Sequence, residues 1–281
     1  MKTIDPDVLA GYNAGMEKNR LHAGLGLIEF ARTKEILTQV LPTPPAVIYD
    51  IGGGYGEYAF WLSSLGYEVH LFDLAEGNIA MAAELSKGYP NKLKAMAVAD
   101  ARSIDRPGRS ADAILLFGPL YHIVEYHERQ LALKECRRLL KPGGLLFTAA
   151  ITCYATTLWA VTTYGTAHHL LEEPAFCGMI EHEIKTGHHI KNPASSYGGM
   201  GRSYFHLPDE LEAEIEAAGF IETDVRGVIG PCWLTPNLDE IWKDEAKRES
   251  VLRIVRLCEK QPSLMGLSTH LLTISRKGDA I

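Results

Sequence analysis

The chain has 281 residues, 46% of them hydrophobic and 22% charged, with a formal net charge of -7, a size that suits one large domain or a domain with a substantial insertion. The acidic balance and the lack of any basic run argue against a nucleic-acid partner, because phosphate recognition needs clustered Lys and Arg. No apolar segment reaches the roughly 18 residues of a membrane span, and five scattered cysteines without a CxxC pair or a signal peptide predict reduced thiols and a cytoplasmic protein.

Residues 1–40 read as helical. Leu21, Leu25, Ile28, Ile36, Leu37 and Val40 fall roughly on one face, and Pro42, Pro44 and Pro45 stop the pattern. AVIYDI (46–51) is a continuous apolar run, as a strand buried on both faces requires. After a glycine cluster, Tyr58, Trp61, Leu62 and Leu65 recur at helical spacing up to Gly66. YEVHLFDL (67–74) predicts a second strand and residues 80–85 a helix. LKAMAVAD (93–100) and ADAILLFG (111–118) predict strands three and four. A helix over 128–140 leads through LKPGG into GLLFTAAI (144–151), the fifth strand.

The alternation predicts a doubly wound, mostly parallel sheet. It breaks at 152–206, a stretch rich in Thr, His, Gly and Tyr without a clean period, which reads as an insertion over the sheet's carboxyl edge. The pattern resumes with a helix over 208–220, a strand from 220, a long amphipathic helix over 238–259 and an alternating strand at 267–277. The expected division is a helical cap (1–45), a core (46–151), the insertion as a lid (152–206) and a completion of the core (207–281).

DIGGGYGEYAFWL (50–62) places four glycines between a buried strand and a helix. Such a turn lets backbone approach a ligand closely, and the helix start offers free N–H groups. A dinucleotide site wants GxGxxG or GxGxxA. Gly52 and Gly54 fill the first two positions, but the third is Glu57; the frame from Gly53 fails at Tyr55. A nicotinamide oxidoreductase is therefore disfavoured.

Asp50-x-Gly52-x-Gly54-x-Gly56 resembles motif I of the class I S-adenosylmethionine (SAM) methyltransferases. The resemblance extends along the chain through RTKEIL (32–37), LLFGPLYHI (115–123), TGHHIKNP (186–193), YFHLPDEL (204–211) and GPCW (230–233), and is similar to a bacterial group acting on small molecules. It implies a Rossmann-like seven-stranded sheet whose last strand is antiparallel, with N-terminal helices and a helical or loop lid. It implies SAM as cofactor and S-adenosylhomocysteine (SAH) as product. In this family's pattern Asp50 serves the ammonium end through water or backbone, Asp73 the ribose hydroxyls and Asp100 the adenine amino group. Gly52, Gly53, Gly54, Gly56, Leu74, Ala101, Arg102 and Phe117 would surround the cofactor with them, and Tyr12 would close over it.

The methyl acceptor is less legible. Methyl transfer rests mainly on alignment, and a base is needed only where a proton must leave. His122, His206 and His188 are the candidate catalytic residues; Tyr121, Asn192, Tyr204 and Trp233 are candidate acceptor contacts. The histidines of the insertion match no familiar zinc spacing, so no metal is expected. The expectation is a methyltransferase acting on oxygen or nitrogen, with carbon less favoured, of a small organic molecule, as a monomer or homodimer. The alternatives are a protein or RNA methyltransferase and a non-catalytic SAM- or SAH-binding protein.

Overall fold

The computed structural model describes residues 5–278. The cap is three pieces rather than one helix: α1 (Pro6–Asn13), a single turn at Arg20–His22, and α2 (Leu25–Val40). Asn19, at positive φ, and Gly24 break it. The core then alternates as β1 (Val47–Ile51), α3 (Glu57–Ser64), β2 (Glu68–Asp73), α4 (Glu76–Ser86), β3 (Ala95–Val98), β4 (Ala111–Phe117), α5 (Pro119–His122), α6 (Tyr126–Leu139) and β5 (Leu140–Ile151). The LKPGG turn is itself the start of β5. The segment after β5 carries α7 (Ala155–Thr163), α8 (Pro174–Thr186) and a two-stranded ribbon of β6 (His188–His189) and β7 (Ser203–Tyr204). The chain ends with α9 (Pro208–Ala217), β8 (Phe220–Gly227), α10 (Leu238–Trp242), α11 (Glu245–Cys258), α12 (Pro262–Met265) and β9 (His270–Lys277).

The sheet order is β3-β2-β1-β4-β5-β9-β8, parallel except for β9, which runs antiparallel to both neighbours. The chain thus forms the seven-stranded, mostly parallel sheet expected of the sequence. Period-2 alternation sorts the two faces. Tyr49, Ile51, Ile114 and Leu116 pack on α6 and α9 through Leu133, Cys136, Leu211 and Ile215. Ile48, Leu71, Ala113 and Leu115 pack on α2, α3 and α4 through Ile36, Leu37, Leu62 and Ala82. Leu65, expected on the sheet-facing stripe of α3, is instead exposed beyond the helix end.

The predicted helix over 238–259 is two helices. Asp244 caps the second, accepting from the amides of Ala246 and Lys247 at 3.0 and 3.1 Å. Among the described residues no helix is long and apolar enough to cross a membrane.

Candidate functional site

The parallel strands deliver their carboxyl ends to one edge, where such sheets bind ligands. A cleft of about 1140 Å³, mouth included, opens there. Its floor follows the strands: Gly52–Gly54 after β1, Asp73 to Ala75 after β2, Ala99 to Ala101 after β3, and Phe117 to Ile123 after β4. Ala149 of β5 and His270 of β9 continue it, and Tyr12 of α1, Glu17, Arg20 and Glu29 of α2 close it from the cap.

Gly54 is the loop residue that faces open space. It has φ +60°, and a Cβ there would meet nothing within 4 Å. Gly53 stands above Asp50: a Cβ on it would lie 2.5 Å from the Asp50 carboxyl. Gly56 caps α3 and does not line the cleft. Asp50 is fully buried, and neither of its carboxylate oxygens has a hydrogen-bond partner. Burial, aided by the nearby charge of Asp73, pushes its carboxyl up to about 7. An orphaned carboxylate beneath a backbone cradle fits a cationic ligand group held through the loop.

Asp73 accepts from the amides of Gly54 and Ala75, each at 2.8 Å, and from Asn78 Nδ2 at 3.1 Å. Burial raises its carboxyl all the same, against these donors. Leu74 lies beside it in the wall. Asp100 receives Arg102 Nε at 2.9 Å, and Arg102 also binds Glu128 at 2.6 Å. Burial opposes ionisation of Asp100, but Arg102 outweighs it and holds the carboxyl below its ordinary value. Arg102 thus fixes Asp100 from behind and does not itself line the cleft, whereas Ala101 and Phe117 do.

At the other end, Tyr12 Oη and His122 Nε2 meet at 2.6 Å. His122 is buried, and burial pushes its imidazole down to about 4, so it is neutral at physiological pH. Its Nδ1 has no partner. Burial raises the Tyr12 phenol well above its ordinary range, so it keeps its proton. Tyr121 packs edge-on against His122 with ring centroids 4.6 Å apart.

Three expected site residues gather elsewhere. His188 pairs with Tyr204 across the β6–β7 ribbon, and Tyr204 lies edge-on to His206. His206 is fully buried with Nε2 3.4 Å from Glu214, and its backbone joins the end of β5 through Ile151. Arg129 closes this cluster, with bonds of 2.7 and 2.9 Å to Glu214 and its guanidinium 3.8 Å from the Tyr204 ring centre. None of His188, Tyr204 and His206 lines the cleft. Asn192 makes a turn, accepting from the Ala194 amide at 3.0 Å. Trp233 packs on the α2–α3 side of the sheet, also outside the cleft. Among the described residues no group of three or more His, Cys, Asp or Glu could hold a metal ion.

Sequence reasoning missed Arg20, Glu29 and His270. Glu29 did carry a signal: it falls on the buried stripe of α2 with Arg32, Thr33 and Ile36, where a carboxylate is out of place unless paired.

Residues 49–148 match the model of a family described as a methyltransferase domain. The chain is 29% identical over 184 residues to a ubiquinone biosynthesis O-methyltransferase of Chelativorans sp. (strain BNC1). That match covers 65% of this chain and 61% of the relative, so the chain spans about three fifths of the relative's length. Among solved structures it is similar to a SAM-dependent methyltransferase from Methanosarcina mazei, with a TM-score of 0.56, 19% identity and coverage of 86% of this chain and 97% of that one. It is also similar to phosphoethanolamine N-methyltransferase 2 of Haemonchus contortus, solved with phosphomonomethylethanolamine and SAH. There the TM-score is 0.55 at 16% identity, covering 89% of this chain and 52% of that one. At these identities the structural likeness carries the fold alone.

Proposed function

We propose that this chain, a SAM-dependent methyltransferase by its matching domain and relative, methylates an oxygen or nitrogen of a small organic molecule, with Tyr12 and His122 handling the acceptor's proton. One observation carries this reading: a single cleft joins a glycine cradle flanked by Asp73 and Asp100 to a neutral tyrosine–histidine pair.

The cradle half suits SAM. Gly54 leaves room for the amino-acid end, and Asp50 beneath the loop offsets its ammonium. Asp73 has acceptor capacity for the ribose hydroxyls, and Asp100 with Ala101 bounds the adenine. SAM, when bound, supplies a methyl group already activated on sulfur, so the chain's task is alignment and proton removal.

Tyr12 and His122 form a short relay. As the acceptor's proton moves to Tyr12 Oη, Tyr12 passes its own along the 2.6 Å bond to His122 Nε2. Because the imidazole is neutral, its acceptor lone pair is available without prior deprotonation. Tyr121 packs edge-on against His122 and shields that side of the pair.

Calorimetric titration of the purified protein with SAM, SAH and NADH tests the cofactor assignment. Micromolar binding of SAM and SAH with none of NADH is expected. Binding of NADH, or of neither SAM nor SAH, would overturn it.

A further inference from the structure

Val8, Leu9 and Tyr12 of α1 line the cleft. At eight residues α1 is too short to be stable by itself, so its place is set by what it touches. Its last residue is tied to α4, where Asn13 Oδ1 accepts the Gly77 amide at 2.9 Å. Its first turn leans on a different part of the chain, the loop 190–202 that joins β6 to β7. Asp5, the cap of α1, accepts the Arg202 amide at 3.4 Å. Gly201 packs so closely on α1 that a Cβ there would fall 2.5 Å from Val8 Cγ2.

The loop has an anchor of its own. His189 of β6 and Glu183 of α8 are both fully buried. The His189 ring donates from Nε2 to the Met200 carbonyl at 3.1 Å, and its Nδ1 meets Glu183 Oε2 at 2.6 Å. Thr156 of α7 donates to the same carboxylate oxygen at 2.9 Å. One buried imidazole thus fixes Met200, the neighbour of Gly201, to α7 and α8 together. Buried polar networks of this kind rigidify what they join. Met200 also packs on the cluster of Ile151, Cys153 and Phe205, as does Tyr121 of the cleft wall. The insertion, the cap and the cleft therefore meet at residues 200–202.

We propose that this loop is a latch on α1, held by His189 as a positioning residue, and that the latch governs passage of the cofactor into and out of the cleft. This rests on SAM occupying the cleft. With the latch closed, α1 stays in the cleft wall. When residues 200–202 let go, α1 swings about its Asn13 end and draws Val8 and Leu9 away. Because the loop belongs to the insertion, movement of the insertion and exchange of SAH for SAM are one event.

The test is surface plasmon resonance of SAH on the immobilised protein, which reads both rates. Gly201→Ala pushes a methyl group against Val8 and loosens the latch. A gate controls passage in both directions, so association and dissociation are each expected to speed up about tenfold, with Kd moving less than either rate. Val8→Ala makes room, since its Cβ lies 3.9 Å from the position of the new one, an ordinary contact. The double variant should therefore return to the rates of Val8→Ala alone, a reversal that general loss of stability does not produce. His189→Phe keeps the stacking on Phe205, loses both polar contacts, and should speed exchange as Gly201→Ala does. If it does not fold, the Gly201 and Val8 variants decide. Unchanged exchange in Gly201→Ala or in a folded His189→Phe overturns the proposal, as does a double variant as fast as Gly201→Ala. Slower association in Gly201→Ala also overturns it, by placing residue 201 in the cofactor's own site. Failure of the wild-type protein to bind SAH instead sinks the cofactor assignment.

Discussion

Tyr12 and His122 are 110 positions apart, yet the phenol oxygen of one lies 2.6 Å from the imidazole Nε2 of the other. The fold produces this contact by laying α1 over α4. Asn13, at the end of α1, accepts the Gly77 amide at 2.9 Å, and Gly77 has no room for a Cβ, which would fall 2.5 Å from the Asn13 carbonyl oxygen. The cap is thereby pinned to the cofactor half while its tyrosine reaches the acceptor half. Tyr12 is thus a link between the two.

If the pair relays a proton, either partner's loss should affect turnover rather than cofactor binding. Tyr12→Phe and His122→Asn are expected to lower kcat by roughly 10²- to 10⁴-fold with SAH affinity nearly unchanged. Steady-state rates with any acceptor that turns over, beside SAH calorimetry, check this. A matching fall in SAH affinity would make Tyr12 a cofactor lid residue only.

The pH profile follows from His122. Burial lowers its imidazole to about 4, so the base stays neutral well below the ordinary histidine range. With a saturating acceptor whose own group does not titrate in the window, kcat is expected to stay level from pH 8 down to about 5. An inflection near 6.5 would mean a solvated imidazole in the working enzyme. The same group destabilises the fold in acid: below the unfolded value, near 6.5, the unfolded chain binds a proton that the native state refuses until about 4.

The sheet was legible because its central strands, β1 and β4 above all, read as largely apolar runs, and Gly54, Asp73 and Asp100 were legible because each stands at the carboxyl end of a predicted strand. Other features depend on distant partners. His206 resembled a site residue, a polar group where the insertion rejoins the core, yet Glu214 and Arg129 enclose it, and the latter two are 85 positions apart. Glu29 and His270 face each other only because β9 inserts antiparallel beside β5. The break at Asp244 was readable in principle, since an Asp followed by good helix formers is a start signal, but the continuous charge pattern concealed it.

The glycine loop can be tested against its own control. Gly54 and Gly143 both have positive φ, +60° and +70°, and at both a Cβ would meet nothing within 4 Å. Alanine at either position pays a similar backbone penalty of about 1–2 kcal/mol. Only Gly54 lines the cleft. Gly54→Ala is therefore expected to weaken SAH binding sharply, Gly54→Val to abolish it, and Gly143→Ala to leave it intact at the same loss of thermal stability. Equal SAH affinity in the two alanine variants would remove Gly54 from the site.

His206→Ala should act on stability. The side chain is fully buried against Glu214 and Tyr204 and does not line the cleft. Removing it leaves a cavity and one fewer partner for Glu214, a loss of about 1–3 kcal/mol. Urea denaturation should register this while the kcat of the folded fraction stays within a factor of about two. A large fall in kcat at unchanged stability would return His206 to the catalytic candidates.

Asp50 gives the last prediction, and its sign is unusual for a carboxylate. Its native value of about 7 lies above the ordinary 3.8, so the native state holds a proton that the unfolded chain releases between those limits. Stability from this group is complete below about pH 4 and drains away as pH rises through 7, by up to about 4 kcal/mol. Asp50→Asn removes the titration while keeping the shape. Without ligand, the variant should be more stable than wild type at pH 8 and lose that advantage at pH 5, as read by urea denaturation at both pH values. With SAH, the order should reverse at pH 8, because the carboxylate that destabilises the empty cradle is the one that offsets the ligand's ammonium. A variant less stable than wild type at both pH values would show instead that Asp50 is already paired in the empty protein.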